Sequence, residues 1–175
     1  MPEQEAWLRG PIAGIDPLLM PAAHALVQVR EEAERIVDGL SPADLTARPA
    51  GVASVSFHLR HIAGSIDRLR TYARGEALSL LQRERAAAES MGAVEIDSAS
   101  LVAGVALAIE EALDQMRATP LESLTEHRAV GRAELPSTVL GLLFHLAEHA
   151  QRHSGQALTT AKMVRPTPSG PGAPR

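Results

Sequence analysis

Four segments of this chain repeat apolar residues at the spacing of an amphipathic helix, and this pattern constrains the fold more than any other feature. The segments cover about residues 15–40, 54–73, 97–119 and 137–163. Apolar side chains three and four positions apart share one helix face, and that face has to be buried against another element. No segment alternates well enough to indicate a strand. We therefore expect an all-α fold, a four-helix bundle with short connecting helices.

Capping residues mark the limits of these helices. Asp97 is the expected N-cap of the third long helix, and Ser137 or Thr138 is the expected N-cap of the fourth. Residues 78–90 predict a shorter, heavily charged helix that packs across the bundle rather than within it. Residues 121–136 read as a connector between the third and fourth long helices.

The 175 residues fit a single domain at 1–163, followed by a tail rich in proline and glycine at 164–175. Lysine and arginine are outnumbered 17 to 21 by acidic residues, which argues against a nucleic-acid partner. No apolar run reaches the roughly 18 residues of a membrane span, and the N-terminus lacks the basic and apolar parts of a signal peptide. We expect a cytoplasmic protein without a membrane partner, and a tail that is disordered or lies along the surface.

A stripe of histidines lies in the fourth segment, where His145, His149 and His153 recur every four residues. Each step of four turns the side chain by only about 40°, so the three imidazoles share a narrow stripe on or beside an apolar face. Burying neutral imidazoles costs free energy unless each finds a partner, and a shared metal ion would be one. The chain has no cysteine, so a metal must be held by His, Asp or Glu.

The second segment carries two further histidines, His58 and His61, beside its apolar seam. The pair His149 and His153, with a third ligand from His61 or His58, would form a three-nitrogen site with open positions for water or substrate. The competing interpretation is that these histidines only hydrogen-bond within the core. The two remaining histidines are expected to be solvated, and these are His24 and His127.

Two stretches, SVSFHLRHIAGSIDRL at 54–69 and LPSTVLGLLFHLAEHAQRHSGQ at 135–156, resemble the hallmark stretches of the DinB/YfiT-like superfamily. The resemblance covers nearly the whole chain. It implies a four-helix bundle that binds a divalent metal through one histidine of the second helix and two of the last. Carried over to this sequence, those residues are His61, His149 and His153.

The resemblance implies a metal more strongly than it implies a reaction. Similar proteins include S-transferases and isomerases that use low-molecular-weight thiols, and uncharacterised proteins described as metal-dependent hydrolases. Three imidazoles suit zinc, nickel or iron, and such an ion could activate either water or a thiol. No carboxylate base is evident beside the candidate ligands, so we favour transfer of a low-molecular-weight thiol to an electrophile. The alternatives are a metal-dependent hydrolase and a non-catalytic, metal-stabilised stress or binding protein.

Three further residues are candidate contacts to the ligands or to the substrate: His58, His145 and Gln156. The expected partner is a small-molecule substrate. The resemblance also implies a homodimer.

Overall fold

The computed structural model describes residues 4–89 and 97–165. Six helices occur in these ranges, and they are α1 (Met20–Val37), α2 (Pro42–Thr46), α3 (Val55–Ala73), α4 (Leu80–Glu89), α5 (Ser98–Ala118) and α6 (Val139–Val164). Short 3-10 turns occur at Ala6–Leu8, Pro49–Gly51 and Leu121–Ser123. The mainly helical fold predicted from the sequence is confirmed. None of the described helices combines the length and the apolar character of a transmembrane span.

Side-chain caps begin three of the four long helices. Ser54, Asp97 and Thr138 each accept a hydrogen bond from the backbone N–H three residues further on, which satisfies a donor that has no partner within the helix. The predicted caps at Asp97 and Thr138 are therefore confirmed.

The first long helix is shorter than predicted. The chain at residues 15–19 forms turns, in which the carboxylate of Asp16 accepts the backbone N–H of Leu18, and α1 begins only at Met20. Pro21 lies in the first turn of α1, where its missing N–H costs no helical hydrogen bond. At the other end Gly39 adopts a φ of +69°, which turns the chain away from the helix.

The four long helices surround one apolar core. α3 lies between α6 and α5, while α1 contacts the same two helices from the opposite side, so that α1 and α3 are diagonal to each other. The largest fully buried side chains come from all four long helices and the segments next to them, and they are Leu19, Leu26, Val29, Ile36, Leu45, Leu59, Ile62, Ile66, Ile109, Met116, Leu143 and Leu146. The side-by-side packing of α3 and α6 is what matters for the site, because both histidine-bearing helices share one interface.

A small antiparallel hairpin follows α5, so the expectation that the chain contains no strand is wrong. β1 (His127–Val130) pairs with β2 (Leu135–Thr138), and the turn between them uses positive φ angles at Gly131 and Glu134. Each strand has only four residues, and Pro136 interrupts the second. Four residues are too few for an alternation of apolar and polar side chains that would distinguish a strand from a connector.

The hairpin is held to the end of α3. The Nε of Arg128 donates a hydrogen bond of 2.9 Å to the carbonyl oxygen of Ala73. This carbonyl is one of the last four of the helix and has no partner within it, so a side chain from the connector satisfies it. The connector therefore has a defined place against the bundle.

The short charged helix predicted at residues 78–90 is α4, which packs on α3 outside the four-helix core. Glu89 is the one buried residue among those described in α4, and the rest of the helix is mostly exposed. Ser90 and the predicted stop that follows it lie outside the described residues, as does the part of the predicted tail after Arg165.

Candidate metal centre

Three histidines from two helices meet at the interface of α3 and α6. His61 of α3 and His149 and His153 of α6 each offer one ring nitrogen, and these atoms all lie within 4.8 Å of one another. The Nε2 atoms of His61 and His149 are 2.9 Å apart. The ring centroid of His153 lies 4.5 Å from that of His61 and 4.6 Å from that of His149. All three side chains are half-buried, so the group has both a protein wall and an open side.

Helix geometry explains why these three residues converge. His149 and His153 are one helical turn apart and therefore lie above one another on α6. On α3, His61 stands beside the fully buried Leu59 and Ile62, and α3 packs directly against α6. The apolar seams that bury the two helices against each other thus also bring the imidazoles together.

A buried carboxylate supports His61 from behind. The Nδ1 of His61 donates a hydrogen bond of 2.8 Å to Oε2 of Glu89, at the end of α4. Arg68 holds the same carboxylate at both oxygens, with Nη1 2.6 Å from Oε1 and Nη2 3.2 Å from Oε2. Burial by itself raises the pKa of Glu89, but the hydrogen bonds from His61 and Arg68 outweigh it and hold the pKa below its ordinary value. The carboxylate is ionised, and it fixes the proton of His61 on Nδ1, which leaves the Nε2 lone pair facing the other two histidines.

A glycine makes room for this carboxylate. A Cβ atom built at Gly64, one turn after His61, would lie 2.1 Å from Oε1 of Glu89 and 2.9 Å from Nη1 of Arg68. Both distances are shorter than van der Waals contact. Gly64 therefore allows the carboxylate to approach the backbone of α3, which a larger residue would prevent.

A fourth imidazole supports His153. His58 is 5% exposed, and its Nδ1 lies 3.0 Å from Nδ1 of His153, so one ring donates to the other. If His153 holds its proton on Nδ1, its Nε2 is free to act as a ligand. Two of the three histidines thus have a partner behind them, Glu89 of α4 for His61 and His58 of α3 for His153.

Burial favours the neutral form of His58, His149 and His153. Burial, followed by the nearby His153 and His61, lowers the pKa of His58 from 6.5 to about 4. The pKa of His149 is lowered to about 4 as well, first by burial and then by His153 and His61. Burial also lowers the pKa of His153. A neutral imidazole carries the lone pair that a metal ligand needs.

The hydrogen bonds among the described residues do not satisfy every ring nitrogen of this group. The proton of His61 is fixed on Nδ1, so its Nε2 has only a lone pair, and the nearest atom to it is Nε2 of His149. If His149 donates that hydrogen bond, its Nδ1 keeps a lone pair in a buried position, and this atom has no hydrogen-bond partner among the described residues. If His149 instead holds its proton on Nδ1, two lone pairs face each other across 2.9 Å and a shared cation satisfies both, so the donor set present here is compatible with a divalent metal.

The other candidate residues lie in different surroundings. His145 has a side chain that is 49% exposed and lies 3.3 Å from Glu148, and its ring centroid lies 5.5 Å from that of His149, so its role as a contact to this ligand stays a prediction. The rotation of about 40° at each step of four turns this end of the stripe toward the surface. Gln156 is exposed one turn beyond the centre. His24 is partly exposed and its Nε2 lies 2.8 Å from the carbonyl oxygen of Gly10, while His127 is exposed.

Glu89 and Arg68 were not predicted from the sequence, and the expectation that no carboxylate lies beside the candidate ligands is wrong. Glu89 is far from the histidines in sequence and is the one buried residue among those described in a short, heavily charged helix. The available signal was Gly64, a glycine in the interior of a helix, since glycine there destabilises the helix and often marks the close approach of another group.

Comparison with known protein families fits this geometry. The sequence model of the DinB superfamily matches residues 25–157, which is most of the chain. The chain belongs to the DinB superfamily. The match includes all four long helices at least in part, and it includes the three converging histidines of this DinB superfamily protein. None of the curated proteins compared with the chain matches it.

Proposed function

We propose that this DinB superfamily protein binds a divalent metal ion through His61, His149 and His153 and is a metal-dependent enzyme that transfers a low-molecular-weight thiol to an electrophile. The observation that carries the proposal is the convergence of three imidazole nitrogens within 4.8 Å, with a buried partner behind two of the rings. When bound, a divalent ion supplies Lewis acidity that lowers the pKa of a thiol or a water at an open position.

The surrounding residues orient the ligands. Glu89 holds the Nδ1 proton of His61, and Arg68 holds Glu89, so the lone pair on Nε2 of His61 keeps one direction. The ring of Phe57 stacks on that of His61 at a centroid distance of 5.5 Å and an interplanar angle of 7°. This contact limits the rotation of the His61 ring. A carboxylate hydrogen-bonded to the second nitrogen of a ligating histidine raises the basicity of that ligand and fixes its tautomer, whereas a stacked ring limits only its rotation.

Two features of the chain support thiol transfer rather than hydrolysis. The protein has no cysteine, so a sulfur nucleophile has to come from a second substrate. Glu89 is the carboxylate nearest to His61, but both of its oxygens are occupied by His61 and Arg68. It therefore orients a ligand and is poorly suited to take a proton from water, as a hydrolase base must.

The first test is metal content. Protein purified without chelator should contain about one divalent ion per chain by elemental analysis, and His61→Ala and His153→Ala should each remove most of it. His127→Ala is the matched control, because His127 is exposed on β1, and it should keep the metal. If the wild-type protein and His127→Ala both contain no divalent ion, the proposal is wrong at its first step.

The second test is turnover. The metal-loaded protein should consume thiol when a panel of low-molecular-weight thiols is offered with chlorodinitrobenzene as the electrophile, and chelation should abolish the reaction. If the protein instead hydrolyses esters or amides, the hydrolase is supported. If the metal raises the melting temperature and no thiol or ester substrate turns over, the ion ties α3 to α6 as a structural element, and the enzyme proposal is wrong.

A further inference from the structure

A cavity of about 470 Å³ lies beside the candidate metal centre, between the C-terminal half of α6 and the residues that lead into α3. His58 forms part of its wall, and the Nδ1 of His58 is 3.0 Å from Nδ1 of His153. The volume falls in the range of roughly 300–1,000 Å³ that is typical of small-molecule sites. One side chain thus connects this cavity to a proposed metal ligand.

The charge of the cavity wall has one sign. Arg152 is a wall residue, and none of the described residues that line the cavity is acidic, although the whole chain carries a net charge of -4. The guanidinium of Arg152 also contacts the carboxylate of Glu148 one turn back on α6, through Nη2. Since a guanidinium has five N–H donors, donors remain for a second anion.

The polar groups of the wall include an amide without a hydrogen-bond partner. Gln156 is exposed, and its side chain forms no hydrogen bond with another described residue. The neighbouring hydroxyls are already donors within the protein, since Thr159 donates to the carbonyl oxygen of Gly155 and Thr160 to that of Ala53. Arg152 and Gln156 therefore both keep donors for a ligand, and these two groups suit a carboxylate.

The remaining wall is apolar and exposed. Val52 is 43% exposed and Met163 is 51% exposed, and both line the cavity. An inorganic anion would leave this apolar surface in contact with water, whereas a short hydrocarbon chain attached to a carboxylate would cover it. The wall therefore favours an organic acid over phosphate or sulfate.

We propose that this cavity binds the carboxylate of a small organic acid, with Arg152 and Gln156 as its hydrogen-bond donors and Val52 and Met163 against its hydrocarbon part. The inference deepens the proposed function and rests on it, because the reacting end of the molecule would then lie toward His58 and the three-histidine centre. It narrows the substrate class: one of the two substrates, the thiol or the electrophile, carries a carboxylate.

The test compares two thiols that differ in charge. Mercaptopropionate carries a carboxylate and mercaptoethanol does not, and the affinity of each for the metal-loaded protein is measured by isothermal titration calorimetry. We expect mercaptopropionate to bind about two- to fivefold more tightly, the range that one partly exposed charge contact supplies. Arg152→Gln and Gln156→Leu should each remove most of this advantage and leave the affinity for mercaptoethanol unchanged.

The control variant is Lys162→Gln, which removes the same charge from an exposed position on the same helix outside the cavity wall. It should keep the full preference for mercaptopropionate. Equal affinities for the two thiols, or a preference that survives Arg152→Gln, would overturn the inference. Inorganic phosphate that competes with mercaptopropionate as well as propionate does would overturn the assignment to organic acids.

A second measurement separates this inference from the proposed function. Propionate, which has no thiol, is titrated into chelator-treated protein while the backbone amide resonances are followed by NMR. Shifts confined to residues 152–163 and to residues 52, 53 and 58 in the wild type, and lost in Arg152→Gln, support the cavity as a carboxylate site even if the protein proves to bind no metal. The absence of such shifts counts against the cavity and leaves the metal proposal untouched.

Discussion

At the scale of single residues, Gly64 decides whether the Glu89 carboxylate can reach His61. Its missing side chain is the space that the Glu89 carboxylate occupies, and Glu89 in turn fixes the proton of His61. A methyl group at this position would meet Oε1 of Glu89 at 2.1 Å, so the carboxylate would have to move. A substitution at Gly64 should therefore weaken metal binding more than it lowers the free energy of unfolding.

We predict that Gly64→Ala weakens metal binding by about tenfold or more, the range found when the outer partner of a ligating histidine is lost. The measurement is a competition titration against a chelator. Gly104→Ala is the control, because a Cβ at Gly104 meets nothing within 4 Å, and alanine there should raise the free energy of unfolding by up to about 1 kcal/mol without changing metal affinity.

Glu89→Gln separates the charge of Glu89 from its shape. Glutamine keeps an oxygen that can accept from Nδ1 of His61, so Glu89→Gln should weaken metal binding less than Glu89→Ala does. The spectrum of cobalt bound in place of the native metal gives a direct view of the ligand geometry. An unchanged affinity and cobalt spectrum in Glu89→Ala would show that Glu89 does not position His61.

At the scale of elements, the ends of the helices are joined by arginines from distant parts of the chain. Nη2 of Arg165, just after α6, lies 3.0 to 3.1 Å from the carbonyl oxygens of Arg35, Ile36 and Asp38 at the end of α1. Carbonyls at the C-terminal end of a helix have no partner within it and carry the negative end of its dipole. Arg165 therefore links the last turn of α6 to the last turn of α1.

Arg165→Ala should lower the free energy of unfolding by about 1 kcal/mol, since the guanidinium is lost and the carbonyls can be only partly satisfied by water. Urea denaturation gives the value. Lys162→Ala, one turn earlier at an exposed position, should change stability by less than about 0.5 kcal/mol. A loss of stability in the control as large as in Arg165→Ala would mean that the end of α6 is sensitive in general.

At the scale of the whole molecule, the histidine group makes stability depend on pH. The pKa of His58 and of His149 is lowered from 6.5 to about 4 in the folded chain, mainly by burial. Between these two values the unfolded chain binds more protons than the folded one, so the free energy of unfolding falls as the pH falls through this window. Below it, protonation of Glu89, whose pKa is also lowered, acts in the same direction.

We therefore predict that metal-free protein keeps its full stability above about pH 6.5 and loses it progressively toward pH 4. Thermal melts at a series of pH values measure this. His58→Gln should flatten the dependence of stability on pH, because it removes one of the groups whose pKa is lowered, whereas the exposed control His127→Gln should leave the slope unchanged.

The expected homodimer stays a prediction, which analytical ultracentrifugation tests against the 18.6 kDa mass of one chain.

Local patterns in the sequence were sufficient to predict the long helices and two of their caps, because helical periodicity and capping act over a few neighbouring residues. The same periodicity placed His149 and His153 one above the other on α6. Periodicity could not predict how exposed His145 is, because a small rotation accumulated along α6 decides whether that side chain faces the interface or the solvent. The hairpin at residues 127–138 was missed, since its strands are too short to show a pattern.

The sequence by itself determined which segments are helical and which histidines can share a helix face. Only the tertiary structure decided which partners stand behind those histidines: Glu89 reaches His61 from a separate helix, and His58 reaches His153 across the interface of α3 and α6. The physical reason is that these hydrogen bonds join residues 28 and 95 positions apart, and their geometry depends on how the helices pack. A local pattern carries no information at that distance.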